Sequence, residues 1–126
     1  MSKFASVEEV KTFYDKILSD TRTVDKCLEY GKPGDYTQTS KRVSPTRVIR
    51  QYVHKVALLN KLQCIELKKG DESSHLCHNK ACIKADHLNA EPHKVNQERT
   101  RCVRERAVNG IRNFCFGHGD GHPNCI

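Results

Sequence analysis

Apolar residues recur at helical spacing over residues 6–18, where Val7, Val10, Phe13, Tyr14, Ile17 and Leu18 share one face. Ser6 with Glu9 makes a capping box at the start of that helix. Thr21 to Glu29 fits a short helix or strand carrying Cys27, and Gly31 to Ser44, with Gly31, Pro33, Gly34 and several hydroxyl residues, predicts a loop. Arg47-Val48-Ile49-Arg50 predicts extended structure, and Tyr52, Val53, Val56, Ala57, Leu59 and Leu62 suit a buried helical face. Lys68-Lys69-Gly70-Asp71 predicts a turn. Asn89-Ala90-Glu91-Pro92 reads as the end of a strand and the start of a helix, with Pro92 at the first helical position and Asn96 one turn inside. His75, a loop rich in cysteine and histidine, a second strand and this helix therefore form a ββα unit. The expected class is α+β.

At 126 residues the chain fits one domain, 1–126. It divides into an N-terminal helical region (1–26), a central ββα core (27–101) and a cysteine-rich end (102–126). A hydrophobic fraction of 37% with 29% charged residues predicts a modest core, which in a small domain calls for metal or disulfide staples. Seven cysteines, an odd number, and seven histidines favour zinc over disulfides. The N-terminus lacks the apolar stretch of a secretory leader, and no run reaches membrane-spanning length. The expectation is an intracellular protein of a reducing compartment, cytoplasm or nucleus, with no membrane partner.

The net charge of +7 is unevenly distributed. Residues 1–40 sum to −1 and residues 41–126 to +8. No acid lies between Asp35 and Glu66, whereas Lys41, Arg42, Arg47, Arg50, Lys55 and Lys61 all do, and a second basic run holds Arg99, Arg101, Arg104 and Arg106. Concentrated positive charge is the footprint of a phosphate backbone. The plain alternative is a solvated face.

Cys77, Cys82 and His87 follow a Cys-x4-Cys-x4-His pattern and supply three ligands of a tetrahedral zinc site. A distant cysteine, Cys27 or Cys64, must close it. Cys102, Cys115, His118, His122 and Cys125 offer a second site of the Cys3His type. His75 lies too near Cys77 along a strand to share its zinc, and a neutral imidazole beside a metal loop suits a general base. Asn96 offers the oxygen that hard cations such as Mg²⁺ prefer. A base and a hard metal together equip a site for phosphodiester hydrolysis.

Ser74-His75-Leu76-Cys77-His78-Asn79, followed by Cys82, His87-Leu88, Asn96 and Cys102, resembles the His-Cys box homing endonucleases of the His-Me finger (HNH-related) superfamily. Upstream, Ser44-Pro45-Thr46-Arg47 resembles the family's Pro-Thr-Arg, and Cys27 precedes Arg47 by twenty residues, as in that family. The likeness spans roughly residues 27–125. It implies the ββα-metal fold with two structural zinc ions, Cys27 as fourth ligand of the first, and Cys64 as a core thiol. It also implies His75 as general base, Asn96 as sole protein ligand of one Mg²⁺, and Arg47 as the group holding the cleaved phosphate. The second zinc loop is longer than the family's. His118 and His122 are both offered there with Cys102, Cys115 and Cys125, and His118 is favoured. The chain ends at Ile126, one residue past Cys125, without the long tail of the family's best-known dimer, so a monomer or weak homodimer is expected. The functional expectation is a Mg²⁺-dependent endonuclease acting on double-stranded DNA, with Arg42, Arg47, Arg50, Lys55 and Lys61 on the backbone. The alternative is a zinc-stabilised DNA-binding module without chemistry.

Overall fold

The structure, a computed structural model, describes residues 3–109, 122, 123 and 125. Helix α1 (Val7–Leu18) opens as the capping box predicts: the Glu9 amide donates to Ser6 Oγ at 3.2 Å. The Glu9 carboxylate reaches back one residue past the cap, accepting from the Ala5 amide on Oε1. Val10, Phe13 and Ile17 form its buried stripe against helix α2 (Val53–Leu62), and Phe4 closes edge-on over Phe13 with centroids 5.7 Å apart. Helix α2 is the centre of the core, with Val53, Val56, Ala57, Leu58 and Leu59 all buried. A left-handed residue, Gln63 at φ 55°, ends it.

Among the described residues, three antiparallel hairpins accompany the helices. Strands β1 (Arg22–Val24) and β2 (Cys27–Glu29) pair in the stretch where helix or strand was open. Strands β3 (Gln38–Ser44) and β4 (Arg47–Tyr52) pair with an irregularity between Arg42 and Ser44. Strand β3 corrects the loop expected through Ser44. Its side chains alternate between exposed and half-buried, and a mostly polar strand shows little hydrophobic signal. Strands β5 (Asp71–His75) and β6 (Leu88–Pro92) form the third hairpin, joined through a 3₁₀ turn at Ala85–His87. Helix α3 (His93–Asn109) follows, so Pro92 ends the strand rather than starting the helix.

Each sheet among the described residues has only two strands. A lone hairpin is marginal in water, so the hairpins depend on the α2 core and on whatever ties them to one another. The class is α+β, as expected, with one Cys/His metal-binding group among the described residues.

Candidate metal centre and adjoining cleft

Cys27, Cys77, Cys82 and His87 converge from three separate elements, and their ligand atoms all lie within 4.8 Å of one another. Strand β2 delivers Cys27, the loop after β5 delivers Cys77 and Cys82, and the 3₁₀ turn delivers His87. His87 Nδ1 lies 3.5 Å from both Cys27 Sγ and Cys82 Sγ. Cys64 is elsewhere, half-buried against the apolar core, which settles the fourth member of the group as Cys27.

Backbone bonds fix the loop to the first hairpin. Tyr30 N donates to the Ala81 carbonyl and Ile83 N to the Leu28 carbonyl, at 3.0 and 2.7 Å. Asn79 turns the chain, accepting from Ala81 N on its own Oδ1 while its Nδ2 donates to Glu29 Oε2. His78 takes the left-handed conformation at φ 60° within this turn. The Asn79 bond, aided by Arg22, holds the Glu29 carboxyl below the usual range. Sequence reading missed Glu29 and Asn79 as struts, although a polar pair at a tight turn is a common device.

The crowded sulfurs titrate against each other. A hydrogen bond from Cys77 pulls the Cys82 thiol down to about 4. The same bond, then burial, pushes Cys77 up, and burial pushes Cys27 up. Three thiolates in so small a space repel, and a dication among them relieves that repulsion. Three sulfurs and one imidazole are the donors zinc takes tetrahedrally, so the residues fit it.

Beside this centre is a cleft lined by Tyr36, His75, His78, Lys80, Asn96, Arg99 and Thr100. His75 is buried, and its Nε2 lies 2.9 Å from the Cys82 carbonyl. A carbonyl only accepts, so Nε2 carries the proton and Nδ1 keeps its lone pair. Burial lowers the His75 pKa, against the opposing pull of that carbonyl, so the imidazole is neutral near pH 7. Rings of His54 and Tyr36 pack on it with centroids 4.9 and 5.7 Å away. His54 is itself pushed down to about 3, chiefly by burial, and lies 2.9 Å from Ser73 Oγ.

Asn96 enters the cleft from α3. Its Nδ2 donates to Glu72 Oε1 at 2.6 Å, and its Oδ1 accepts from Ser74 Oγ at 3.0 Å. The carboxylate accepts only, which turns Nδ2 toward Glu72 and Oδ1 toward Ser74. An amide oxygen with a carboxylate behind it fits a hard cation such as Mg²⁺.

Arg99 sits deeper. It is 1% exposed and bonds Glu91 twice, Nε to Oε2 at 2.6 Å and Nη2 to Oε1 at 2.8 Å. It also donates to the Pro123 carbonyl, and its Nη1 lies 3.5 Å from Cys125 Sγ. Burial raises the Glu91 carboxyl, but bonds from Arg99 and Asn89 outweigh it and leave it lowered. Removing one partner of a buried pair strands the other charge at a cost of about 3–5 kcal/mol. Glu91→Ala is therefore expected to lose about that much stability in urea unfolding at saturating zinc. A loss under about 1 kcal/mol would mean that water reaches Arg99.

The structure does not bring Arg47 to this cleft. Its guanidinium is bidentate on Glu9, at 3.0 and 3.1 Å, and also bonds the Lys3 carbonyl. Arg47 starts β4, whereas Tyr52 at the other end of the strand borders His54. Helix α1, expected only to pack, thus also anchors the expected phosphate arginine. Of the other expected DNA contacts, Arg42 bonds the Pro45 carbonyl and Arg50 bonds Gln38. Lys61 holds the carbonyls of Ala85 and Leu88 under the His87 turn. Lys55 lies in a second groove with Tyr36, Tyr52, His54 and Asn96. Cys115 and His118 of the expected second zinc site lie outside the described residues. Cys102 is buried on α3, and Cys125 is the thiol that Arg99 approaches.

Fold and site together define a small α+β protein organised by a Cys3His metal centre at the foot of a ββα unit. Residues 20–126 match the family described as the zinc-binding loop region of homing endonuclease, and the chain belongs to that family. No curated protein and no solved structure matches it. Among the described residues, no helix is long and apolar enough to cross a membrane.

Proposed function

We propose that this protein is a Mg²⁺-dependent endonuclease of double-stranded DNA, with His75 as general base and Asn96 as the protein ligand of the catalytic cation. The observation that carries this reading is the pairing of a buried neutral His75, its free nitrogen set by the Cys82 carbonyl, with the oriented Asn96 amide in one cleft. His75 Nδ1 takes a proton from water as its oxygen attacks phosphorus, and the P–O bond to the leaving ester oxygen breaks, that oxygen taking a proton from solvent. Glu72 and Ser74 hold the Asn96 oxygen in place. A Mg²⁺ held there would supply Lewis-acid stabilisation of the phosphate and leaving oxygen. Structural zinc at Cys27, Cys77, Cys82 and His87 keeps the two hairpins in register with the cleft. A second zinc at Cys102, Cys115, Cys125 and His118 or His122 completes the expected set.

On this reading Arg42, Arg47, Arg50, Lys55 and Lys61 engage the DNA backbone, Arg47 and Lys61 by exchanging their present partners for phosphate. Affinity for a DNA duplex should then fall by about 0.9 log unit per contact for each log unit of salt. Arg50→Ala should lower that slope by about one contact. A slope near zero would assign the basic stretch to a solvated face.

The second reading is a zinc-stapled DNA-binding module without chemistry. The seating of Arg47 on Glu9, away from the cleft, favours it. Incubation of zinc-loaded protein with supercoiled plasmid decides between them. The nuclease reading expects nicked or linear product with Mg²⁺ and none with EDTA, and the binding reading expects a mobility shift with no product in either. A monomer or weak dimer should accumulate nicked circles before linear DNA.

A further inference from the structure

Hydrolysis of a phosphodiester places extra negative charge on the non-bridging oxygens, and a cation aimed at them stabilises the transition state. Beside the cation that Asn96 would hold, a side-chain cation on the cleft wall can share that charge. Arg47 is held at the other end of the hairpin by Glu9 and the Lys3 carbonyl. Arg99 lines the cleft, but it is 1% exposed and committed to both oxygens of Glu91. The lysines and arginines among the described residues that line the cleft are Arg99 and Lys80, and with Arg99 committed Lys80 is left.

Its position suits the task. Lys80 is carried by the Cys77–Cys82 loop, between Asn79, which is tied to Glu29, and Ala81, whose carbonyl accepts from Tyr30. The base of the side chain is therefore anchored by the metal loop while its head is exposed. The ammonium stands 5.3 Å over the Tyr36 ring, and that ring packs against His75 with centroids 5.7 Å apart. A cation over an exposed aromatic face is held only weakly, so its charge stays near the cleft and remains free to move to a phosphate.

We infer that Lys80 is a catalytic residue of the proposed cleavage: its ammonium contacts a non-bridging oxygen of the scissile phosphate, while Arg47 serves the backbone further along the duplex. This rests on the nuclease reading above. Wild-type protein, His75→Ala, Lys80→Ala, Lys80→Arg and Arg47→Ala are compared in single-turnover plasmid cleavage. Zinc content and duplex affinity without Mg²⁺ are measured on the same preparations. Removing one transition-state donor typically costs 10²–10³-fold. Lys80→Ala should thus cleave about 100-fold slower with affinity within about threefold, Lys80→Arg should recover most of the rate, and Arg47→Ala should lose mainly affinity. Lys80→Ala cleaving within about threefold of wild type would overturn the inference. So would a loss confined to affinity, or a Lys80→Arg protein as slow as Lys80→Ala. Failure of wild type to cleave at all, or full activity of His75→Ala, would instead sink the nuclease reading.

Discussion

Cys82→Ser is expected to unfold the protein. Cys82 is fully buried, and its sulfur lies beside His87 Nδ1 where strand β2, the metal loop and the 3₁₀ turn meet. Two of the hairpins joined there have only two strands each, too few to stand alone. Structural zinc contributes on the order of 10 kcal/mol in small peptides, comparable with the whole stability of a typical domain, about 5–15 kcal/mol. Serine replaces a soft thiolate with a weak neutral donor, so most of that contribution is lost. Circular dichroism and zinc analysis should show a largely unfolded chain lacking this zinc. Cys64→Ser is the control, because its thiol packs against the core away from the cluster, and it should keep both fold and zinc. A native spectrum and unchanged zinc in Cys82→Ser would remove the metal centre from the account.

The metal centre was legible because its ligands have chemistry that few other uses explain. Cys77, Cys82 and His87 are spaced within one loop, and only the fourth ligand needed the resemblance or the structure. Helices α1 and α2 were legible from apolar periodicity. Strand β3 was not, since an exposed, polar strand carries no burial pattern, and its pairing with β4 shows only in three dimensions. The buried pair of Glu91 and Arg99 was also hidden. In the sequence Arg99 reads as part of a basic run, yet it shares the inward face of α3 with Val95 and Cys102.

The cleft was half legible. His75 and Asn96 stand out by spacing, but their supports are scattered: Tyr36 and His54 pack on the imidazole, and Glu72 orients the amide. Charge marked Lys61, and charge together with the Pro-Thr-Arg resemblance marked Arg47, as DNA ligands, without showing that neighbouring acceptors hold both. An arginine's reach cannot be read without knowing what stands next to it. Here that neighbour is Glu9, thirty-eight residues earlier.

The most direct test of the central claim is His75→Ala. His75 is buried against Tyr36 and His54, it is not one of the four clustered metal ligands, and its ring is hydrogen-bonded to a carbonyl of the metal loop. Alanine should leave zinc content and duplex affinity close to wild type while removing the proton acceptor. General-base catalysis contributes about 10²–10⁴-fold. The measurement is the first-order constant for plasmid cleavage at saturating protein with Mg²⁺, for wild type and His75→Ala prepared side by side. The account predicts a His75→Ala constant at least about 100-fold lower, with the same zinc and the same affinity. A constant within about twofold of wild type would contradict it.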